Sequence, residues 1–380
     1  MINIDKNSCV GCEACVNICP VKCISMHADE EGFYYPFVHK EACIDCNLCS
    51  KVCPAEQHSS KENKAISTLA VISENEKHRQ NSSSGGVFSL LADYVLEHKG
   101  VVYGAAFEAD ASVHHIRVDC MENMSKLRTS KYVQSHIDQA YSHAKFDLEN
   151  GRLVLFTGTG CQLAGLTLFL QKDYENLIKV DVVCHGVPSE MVWKKYLKYR
   201  NAEYSAINFR DKNSGWLNYS VRIGENYFSR YNQDPYMKLF LWNVILRQSC
   251  YSCSYKRFNV NSDLTLADFW GIQVIDDSMF DDKGTSLVLI NTEKGKNVFD
   301  EISDKCIFKK ENFDDAVRYN PSIVKPVSKP ESRKEFFEEL NNTDELDFNK
   351  TADKYTVFYK AGFLQKMKIY VMRALKYILK

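Results

Sequence analysis

Two stretches near the start of the sequence repeat the pattern C-x2-C-x2-C-x3-C-P, whose spacing suits the binding of a metal cluster. Thiolates this close together can reach a cubane of iron and sulfide from several sides, while backbone amides of the same loop donate hydrogen bonds to its sulfur atoms. The pattern therefore predicts iron–sulfur chemistry at this end of the chain. Its cysteines are Cys9, Cys12, Cys15 and Cys19 in the first copy, and Cys43, Cys46, Cys49 and Cys53 in the second.

In ferredoxins that hold two 4Fe-4S clusters, the first three cysteines of each run bind one cluster and the fourth binds the other. Zinc would favour two C-x2-C pairs over two quartets, and spacings this short are awkward for disulfides. Cys23 falls outside the pattern, so we expect it to be a small buried residue. The predicted ligand sets are Cys9, Cys12, Cys15 and Cys53 for one cluster, and Cys43, Cys46, Cys49 and Cys19 for the other.

The composition is typical of a protein from a reducing compartment. Fifteen cysteines would indicate a disulfide scaffold in a short secreted chain, but this chain has 380 residues. Its first residues lack the basic and apolar regions of a signal peptide, and no apolar run is long enough to span a membrane. A net charge of −1 argues against general nucleic-acid binding. We therefore expect a cytoplasmic protein from an oxygen-poor cell.

Charge is distributed unevenly along the sequence. Residues 1–60 have more acidic than basic side chains, whereas residues 354–380 contain seven basic and no acidic side chains. An acidic surface around clusters can attract a basic redox partner, or it can be an ordinary solvated face. Apolar side chains follow one helical face from Phe363 to Leu379. This pattern predicts a basic amphipathic tail helix over 354–380, which either packs on protein or lies peripherally on the inner membrane surface.

A second domain is expected to follow the polar linker over residues 55–67, opening with a strand, a Ser84-Gly85-Gly86 turn and a helix. Such a turn presents free amides and the positive end of the helix dipole. That arrangement suits a phosphate, although it is also an ordinary helix cap. Lys131 lies further on in the run RTSKYVQS, where it either contacts a diphosphate or belongs to a solvated strand.

The strand RLVLFTG leads into a glycine loop at Thr157 and Gly158 and then into a helix. Strand, glycine loop and helix is the usual order at a cofactor site, because glycine lets the backbone approach a ligand closely. The G-x-G-x-x-G dinucleotide pattern is not met here. Residues 208–216 and 282–286 are interpreted as long surface turns, either lips of a substrate pocket or ordinary loops.

A second, scattered set of cysteines follows the glycine loop. One C-x2-C pair together with two distant cysteines at loop ends could form a third 4Fe-4S site, a structural zinc site or inert core positions. Cys120 and Cys306 lack such surroundings, and we expect both to be structural. His185 is either a proton donor or a core histidine. The four candidate ligands are Cys161, Cys184, Cys250 and Cys253.

Six runs occur in order over about two hundred residues, and together they resemble one family. They are SSSGGVFSLLADYV, RTSKYVQS, FTGTGCQLAGL, VVCHGVPS, CYSC and DLTLADFWG. The combination resembles the beta subunit of coenzyme F420 hydrogenase and dehydrogenase, in particular bacterial members with a ferredoxin module in front. It is similar also to the plant and cyanobacterial reductases that act on chlorophyll precursors.

The resemblance implies a domain that binds FAD and its own iron–sulfur cluster. It places Cys161, Cys184, Cys250 and Cys253 on the third cluster. The sequence departs from the family pattern at Gly160, where proline is usual, and at Ala267, where glycine is usual. Neither departure removes a ligating side chain. The FAD-binding residues implied are Ser84, Gly85, Gly86, Lys131, Thr157 and Gly158.

The predicted fold class is α+β, a two-cluster ferredoxin-like module followed by a larger mixed α/β flavin-binding domain. The predicted divisions are 1–58 for the ferredoxin module, 67–150 and 151–320 for the two parts of the family domain, and 354–380 for the tail helix.

We expect an FAD- and 4Fe-4S-dependent oxidoreductase that passes electrons between its clusters, FAD and a reducible organic substrate. Ferredoxin or a similar carrier is the expected electron partner. The alternatives are a deazaflavin (coenzyme F420) dehydrogenase that feeds ferredoxin, and a non-catalytic electron-relay subunit of a larger complex. The sequence does not identify catalytic residues or the substrate.

Overall fold

The computed structural model describes residues 2, 4–57, 65–201, 206–256 and 262–356. The N-terminal module pairs two antiparallel strands, β1 (Ile24–Ala28) and β2 (Tyr34–Val38), and carries two short helices, α1 (Ala14–Ile18) and α2 (Leu48–Lys51). Its small core is formed largely by cysteines together with Ile2 and Ile24.

Each of these short helices begins inside a cysteine quartet, directly after a left-handed backbone position. That position is Glu13 in the first quartet and Asn47 in the second, each with a φ of 59°. A left-handed residue turns the chain sharply between the second and third cysteines of the run. The two sequence repeats are therefore repeats of local structure as well.

The strands of the larger part are β3 (Ser67–Ser73), β4 (Val101–Phe107), β5 (Val113–Val118), β6 (Ser135–His136), β7 (Val154–Thr159), β8 (Leu177–Val182), β9 (Ile207–Asp211), β10 (Ser220–Ile223), β11 (Tyr227–Arg230), β12 (Leu264–Asp268), β13 (Ser286–Ile290) and β14 (Cys306–Lys310). Nine of them form one mixed sheet in the order β14-β3-β13-β12-β8-β7-β4-β5-β6. The central run β12-β8-β7-β4 is parallel, and antiparallel pairs flank it on both sides. Strands β9, β10 and β11 form a separate antiparallel sheet.

The helices of the larger part are α3 (Glu76–Gln80), α4 (Val87–Glu97), α5 (Ala140–Glu149), α6 (Gly160–Leu170), α7 (Glu190–Arg200), α8 (Pro235–Leu241), α9 (Ile272–Ile275), α10 (Glu293–Asp300), α11 (Phe313–Tyr319), α12 (Arg333–Asn342) and α13 (Phe348–Thr356). Successive side chains of a strand point to opposite faces of the sheet. Leu155 of β7 accordingly packs in a core with α4, whereas Val154 and Phe156 pack in another with α5 and α6.

The expectation that residues 208–216 form a surface turn is wrong. Residues 207–211 form β9, and the side chains of Phe209, Arg210 and Trp216 are buried. The reason is an internal polar contact, because Arg210 and the Trp216 indole both donate hydrogen bonds to Asp268. An acidic partner at the end of a distant strand thus draws this polar and aromatic segment inside.

The architecture confirms the predicted α+β class, a ferredoxin-like module ahead of a larger mixed-sheet domain. A predicted division of the larger domain falls between residues 150 and 151. Strands from both sides of this division belong to the same sheet. The predicted tail helix lies outside the described residues from position 357 onward. Within the described ranges, no helix has the length and apolar character needed to cross a membrane.

Candidate functional site

The eight motif cysteines of the N-terminal module line two cavities. The grouping exchanges the fourth cysteine between the two runs, as the ferredoxin pattern predicts. All fifteen cysteines are free of disulfides, so the disulfide alternative does not hold. We call the two cavities the first cysteine site, lined by Cys9, Cys12, Cys15 and Cys53, and the second cysteine site, lined by Cys19, Cys43, Cys46 and Cys49.

The two sites differ in their distance from solvent. All four cysteines of the first site are buried, whereas Cys46 of the second site is exposed. The sites share a common core, and the backbone amide of Ile2, which lines the first site, donates to Sγ of Cys49 in the second at 3.3 Å. Cys23 is buried beside the second site, with its Sγ 3.5 Å from that of Cys19.

The scattered cysteines line a third cavity in the larger domain, which we call the third cysteine site. It is lined by Cys161, Cys184, Cys250 and Cys253. Zinc needs its ligand atoms within about 2.0–2.3 Å of a single ion. Across the described ranges, no three His, Cys, Asp or Glu side chains form a group that would hold one metal ion. Four thiols around one cavity offer a ligand set of the kind that a 4Fe-4S cluster or a structural zinc ion uses.

Sheet topology explains why these distant cysteines meet. Strands β7 and β8 are adjacent and parallel, so their carboxyl ends lie side by side, where open α/β sheets usually bind ligands. Cys161 follows β7 in the first turn of α6, and Cys184 follows β8. Val187 links these strand ends to the segment that contains Cys250. Its carbonyl accepts from the Arg247 amide at 2.9 Å, and its amide donates to Sγ of Cys250 at 3.3 Å.

Two cations adjoin the third cysteine site. Lys256 lines the cavity, and its Nζ donates to the carbonyl of Cys184. Burial raises the pKa of the Cys161 thiol to about 12, and the positive charge of Arg247 opposes that shift. Burial also raises the pKa of Cys184, and the positive charge of Lys256 opposes this shift. Positive charge of this kind favours a thiolate ligand set, which carries negative charge.

A larger cavity of about 330 Å³ adjoins the third site at the same edge of the sheet, and we call it the large cavity. Gly86 and Phe88 at the amino end of α4 form one wall, and Thr157 and Gly158 of β7 form another. Tyr132 and Phe240, whose rings stack at a centroid distance of 4.9 Å, add aromatic surface. The residues predicted for FAD that line it are Ser84, Gly86, Lys131, Thr157 and Gly158.

Lys131 lies in the wall of the large cavity. Its Nζ donates to the carbonyls of Arg128 at 2.6 Å and Thr129 at 3.2 Å, and these partners carry no formal charge. Burial lowers the pKa of Lys131 to about 7. The predicted solvated strand is therefore not observed. Lys131 is instead a half-buried amine in the wall of the large cavity, whose charged form an anionic ligand would stabilise.

Gly85 is the predicted FAD residue that does not line the large cavity. A Cβ at this position would lie 2.3 Å from the Val71 carbonyl oxygen and 2.7 Å from the Ser286 amide. Its own amide donates to Oγ of Ser286 at 3.0 Å. A glycine is thus needed here because the turn packs directly on strands β3 and β13.

We expect Gly85→Ala to destabilise the fold by at least about 1–3 kcal/mol, the typical cost of overpacking a tight site. Denaturant unfolding of the variant would measure this loss. Gly151→Ala reports the separate cost of a positive φ, about 1–2 kcal/mol, because Gly151 has a φ of 75° and no neighbour within 4 Å of the new Cβ. Equal stability of Gly85→Ala and wild type would contradict the packing role.

A buried arginine and a partly buried lysine behind the large cavity hold its walls. The Arg210 guanidinium pairs with Asp268 at 2.6 Å and donates to the Tyr132 hydroxyl at 3.2 Å. Nζ of Lys212 donates to the carbonyls of Arg79 and Ser84, which fixes the serine turn from behind. Sequence reasoning missed both residues, since nothing in the run NFRDKNSG marks either one as buried.

Two histidines also line the large cavity. His115 is buried, contacts the Thr157 carbonyl oxygen at 3.0 Å, and has its pKa lowered to about 4 by burial. His185 lines both the large cavity and the third cysteine site, and burial lowers its pKa too. Both rings are therefore neutral near pH 7. His115 was not singled out from the sequence, because its place in an ordinary strand gives no signal.

The cavities form a continuous series through shared wall residues. Cys161 and Cys184 line both the third cysteine site and the large cavity. Val10, which lies between Cys9 and Gly11 in the N-terminal module, lines the first site, the third site and the large cavity. The fold thus places the module's buried cysteine site directly against the larger domain's own sites.

Residues 151–316 match the family model for the C terminus of the coenzyme F420 hydrogenase/dehydrogenase beta subunit. Residues 8–57 match the model of a 4Fe-4S dicluster domain. The chain therefore combines a region similar to the C terminus of this beta subunit with a region similar to a 4Fe-4S dicluster domain. Members of this family are oxidoreductases, and the dicluster match identifies the N-terminal module as an iron–sulfur module.

Comparison with curated proteins gave no match. Among solved structures, a chain of the xenon-derivatised F420-reducing NiFe hydrogenase complex from Methanosarcina barkeri is similar to this chain. The alignment covers 76% of this chain and 97% of that chain, with 15% sequence identity and a TM-score of 0.48.

The two departures from the family pattern now have positions in the fold. Gly160 is the first residue of α6, a position where proline is well tolerated because its amide has no partner within the helix. Glycine there leaves the helix intact. Ala267 on β12 lines the large cavity, so its methyl group takes up space that the family's glycine would leave open.

Proposed function

We propose that this chain is an iron–sulfur flavoprotein oxidoreductase that passes electrons between three 4Fe-4S clusters, FAD and a reducible organic substrate. The proposal rests on one observation. The first and third cysteine sites adjoin each other, and the large cavity adjoins the third cysteine site. When bound, clusters supply one-electron transfer and a flavin converts such steps into two-electron chemistry.

The residues present suit these groups. Each cysteine site offers four thiols, and amide-to-sulfur hydrogen bonds reach Cys49 in the second site and Cys250 in the third. The second site, with Cys46 exposed, is the entry nearest solvent, and the buried first site leads inward from it. Ferredoxin or a similar carrier is the proposed partner at the exposed site.

The large cavity suits FAD in three respects. The amino end of α4, an eleven-residue helix, opens at Gly86 in its wall and supplies a positive dipole end for a diphosphate. Lys131 adds a cation whose hydrogen bonds go to backbone carbonyls. Tyr132 and Phe240 provide aromatic faces against which a flat ring can pack.

Within this proposal the chain's own residues exclude water and hold the reactants. Arg210 and Asp268 fix the wall of the large cavity from behind through their ion pair. His115 and His185, both neutral near pH 7, line the cavity where a substrate proton is exchanged. The substrate is proposed to be an organic molecule other than a deazaflavin, and electrons are proposed to enter from the carrier.

Anaerobic rapid mixing separates this function from the alternatives. Flavin absorbance should bleach with reduced ferredoxin and recover on addition of the oxidised substrate. Fast, saturable bleaching by reduced coenzyme F420 would instead identify a deazaflavin dehydrogenase. Flavin that is reduced by ferredoxin but discharges only to a second protein would identify an electron-relay subunit. A purified protein that contains no flavin after reconstitution would contradict the proposal.

A further inference from the structure

Arg247 is a fully buried arginine at the junction between the N-terminal module and the larger domain. Its backbone continues toward the third cysteine site, since its carbonyl accepts from the Cys250 amide at 3.0 Å. Its guanidinium contacts the loop that begins the first cysteine site, and its positive charge also acts on Cys161 of the third site. The residue therefore connects two of the proposed cluster sites.

The guanidinium of Arg247 is held by acceptors that carry no formal charge, apart from one sulfur. Nε donates to the Cys9 carbonyl at 2.8 Å, Nη2 to the Tyr34 carbonyl at 2.8 Å, and Nη1 to Oε1 of Gln134 at 3.3 Å. Nη2 also lies 3.6 Å from Sγ of Cys9. The Tyr35 ring covers the group, with a distance of 4.3 Å from Cζ to the ring centroid.

Three other arginines in the described ranges are buried to a similar degree, and each has a carboxylate partner. Arg79 pairs with Asp281, Arg210 with Asp268, and Arg333 with Glu31. A buried cation is costly unless a nearby anion compensates its charge. At Arg247 the sulfur of Cys9 takes the place that a carboxylate occupies beside the others.

We propose that Arg247 is the fixed countercharge of the cluster held at the first cysteine site and raises the reduction potential of that cluster. Adding an electron makes the thiolate-bound cluster more negative, so a cation beside a ligand sulfur stabilises the reduced form. A hydrogen bond from a charged donor to a cysteine sulfur acts in the same direction. Arg247 thereby stabilises an added electron on the cluster of the first cysteine site, which lies next to the third cysteine site.

The inference rests on the iron–sulfur part of the proposed function and not on FAD or the third cluster. Two unit charges roughly 6–12 Å apart in a medium of effective dielectric about 20 interact enough to change a one-electron equilibrium by roughly tenfold to a hundredfold. At 59 mV per tenfold for one electron, the corresponding change in potential is about 59 to 118 mV.

The test is an EPR-monitored reductive titration of the whole, cluster-loaded chain and its variants, with iron content measured first. Arg247→Gln should lower the potential of one N-terminal cluster by about 59 to 118 mV, a change of roughly ten- to a hundredfold. The other N-terminal cluster should shift much less. Arg247→Lys retains the charge and should keep the potential near that of wild type.

The matched control is the double variant Glu31→Gln/Arg333→Gln. It removes another buried arginine contact between the same two parts of the chain, with N–O distances of 2.7 and 2.5 Å, but removes no net charge. It should weaken docking of the module without the selective shift in potential. An equal shift in the control would show that loosened packing, and not charge, sets the potential, and would overturn the inference.

The Lys variant keeps the test decisive if Arg247→Gln fails to retain iron. Retention of both N-terminal clusters with a wild-type potential in Arg247→Lys, beside iron loss in Arg247→Gln, would support the countercharge role. Loss of iron from both variants, or a similarly lowered reduction potential in both, would assign Arg247 a purely structural role and overturn the inference. A wild-type chain with about eight irons would contradict the third cluster alone, because the first site would still be measurable.

Discussion

Replacement of both Cys250 and Cys253 by serine is expected to remove about four of roughly twelve irons per chain, the content expected if three 4Fe-4S clusters form. The two residues supply half of the thiols at the third cysteine site, which has no other described cysteine in its lining besides Cys161 and Cys184. The eight cysteines of the first and second sites belong to another module, so their irons should remain. Iron analysis of anaerobically purified protein, together with EPR spectra, would measure the loss.

Cys306→Ser is the matched control for this double variant. Cys306 is a buried cysteine whose Sγ faces the carbonyls of Ile302 and Ser303 and lines none of the cysteine sites. Its substitution should leave the iron content unchanged. Unchanged iron in the Cys250→Ser/Cys253→Ser protein, or an equal loss in Cys306→Ser, would rule out the third cluster.

The second large effect is expected at Lys131. Charge-assisted hydrogen bonds to a diphosphate contribute about 1.5–3 kcal/mol each, so Lys131→Met should weaken FAD binding by roughly tenfold to a hundredfold. Fluorescence titration of the flavin-free protein with FAD would measure the dissociation constant. Lys126→Met is the control, because Lys126 is an exposed lysine that does not line the cavity.

The same lysine predicts a pH dependence of flavin affinity. Burial lowers its pKa to about 7 without a ligand, whereas a bound diphosphate would raise that pKa by favouring the charged form. The stabilisation is therefore complete below about pH 7 and is lost as pH rises toward the raised pKa of the complex. Affinity should fall by up to about tenfold per pH unit in that window.

Lys131→Met should abolish this pH dependence, because the titrating cation is gone. Far-UV circular dichroism would establish that the variant is folded at each pH. An affinity that stays constant between about pH 6.5 and pH 8.5 in the wild type, or equal affinity in Lys131→Met, would refute the phosphate contact.

The N-terminal module is determined largely by local sequence. The spacing of its cysteines requires short loops, and the left-handed positions at Glu13 and Asn47 repeat at the same place in each quartet. The exchange of Cys19 and Cys53 between the two sites follows from the same repeat. Helix α4 and strands β3 and β7 were likewise evident, because α4 repeats apolar residues at helical spacing and the two strands are continuous apolar runs.

Only the tertiary structure decided which distant residues meet. Cys161 and Cys184 are adjacent because β7 and β8 are parallel neighbours, and sequence spacing contains no such information. Residues 208–216 were misassigned because Arg210 and Trp216 find their partner at Asp268, on a strand far along the chain. Gly85 was assigned to a ligand, although strands β3 and β13 explain its need for glycine.

Arg247 is the clearest example of a residue whose contacts the sequence does not reveal. In the sequence it is a cation three residues before a cysteine, without periodicity or motif. The fold buries it against the Cys9 loop, and only then does the difference between its partners and those of the other buried arginines become visible. Sequence therefore determined the cysteine pattern of the N-terminal module and the iron–sulfur chemistry that it indicates, because short-range spacing sets them. Tertiary packing decided the electrostatics around them, because burial and long-range neighbours set charge compensation.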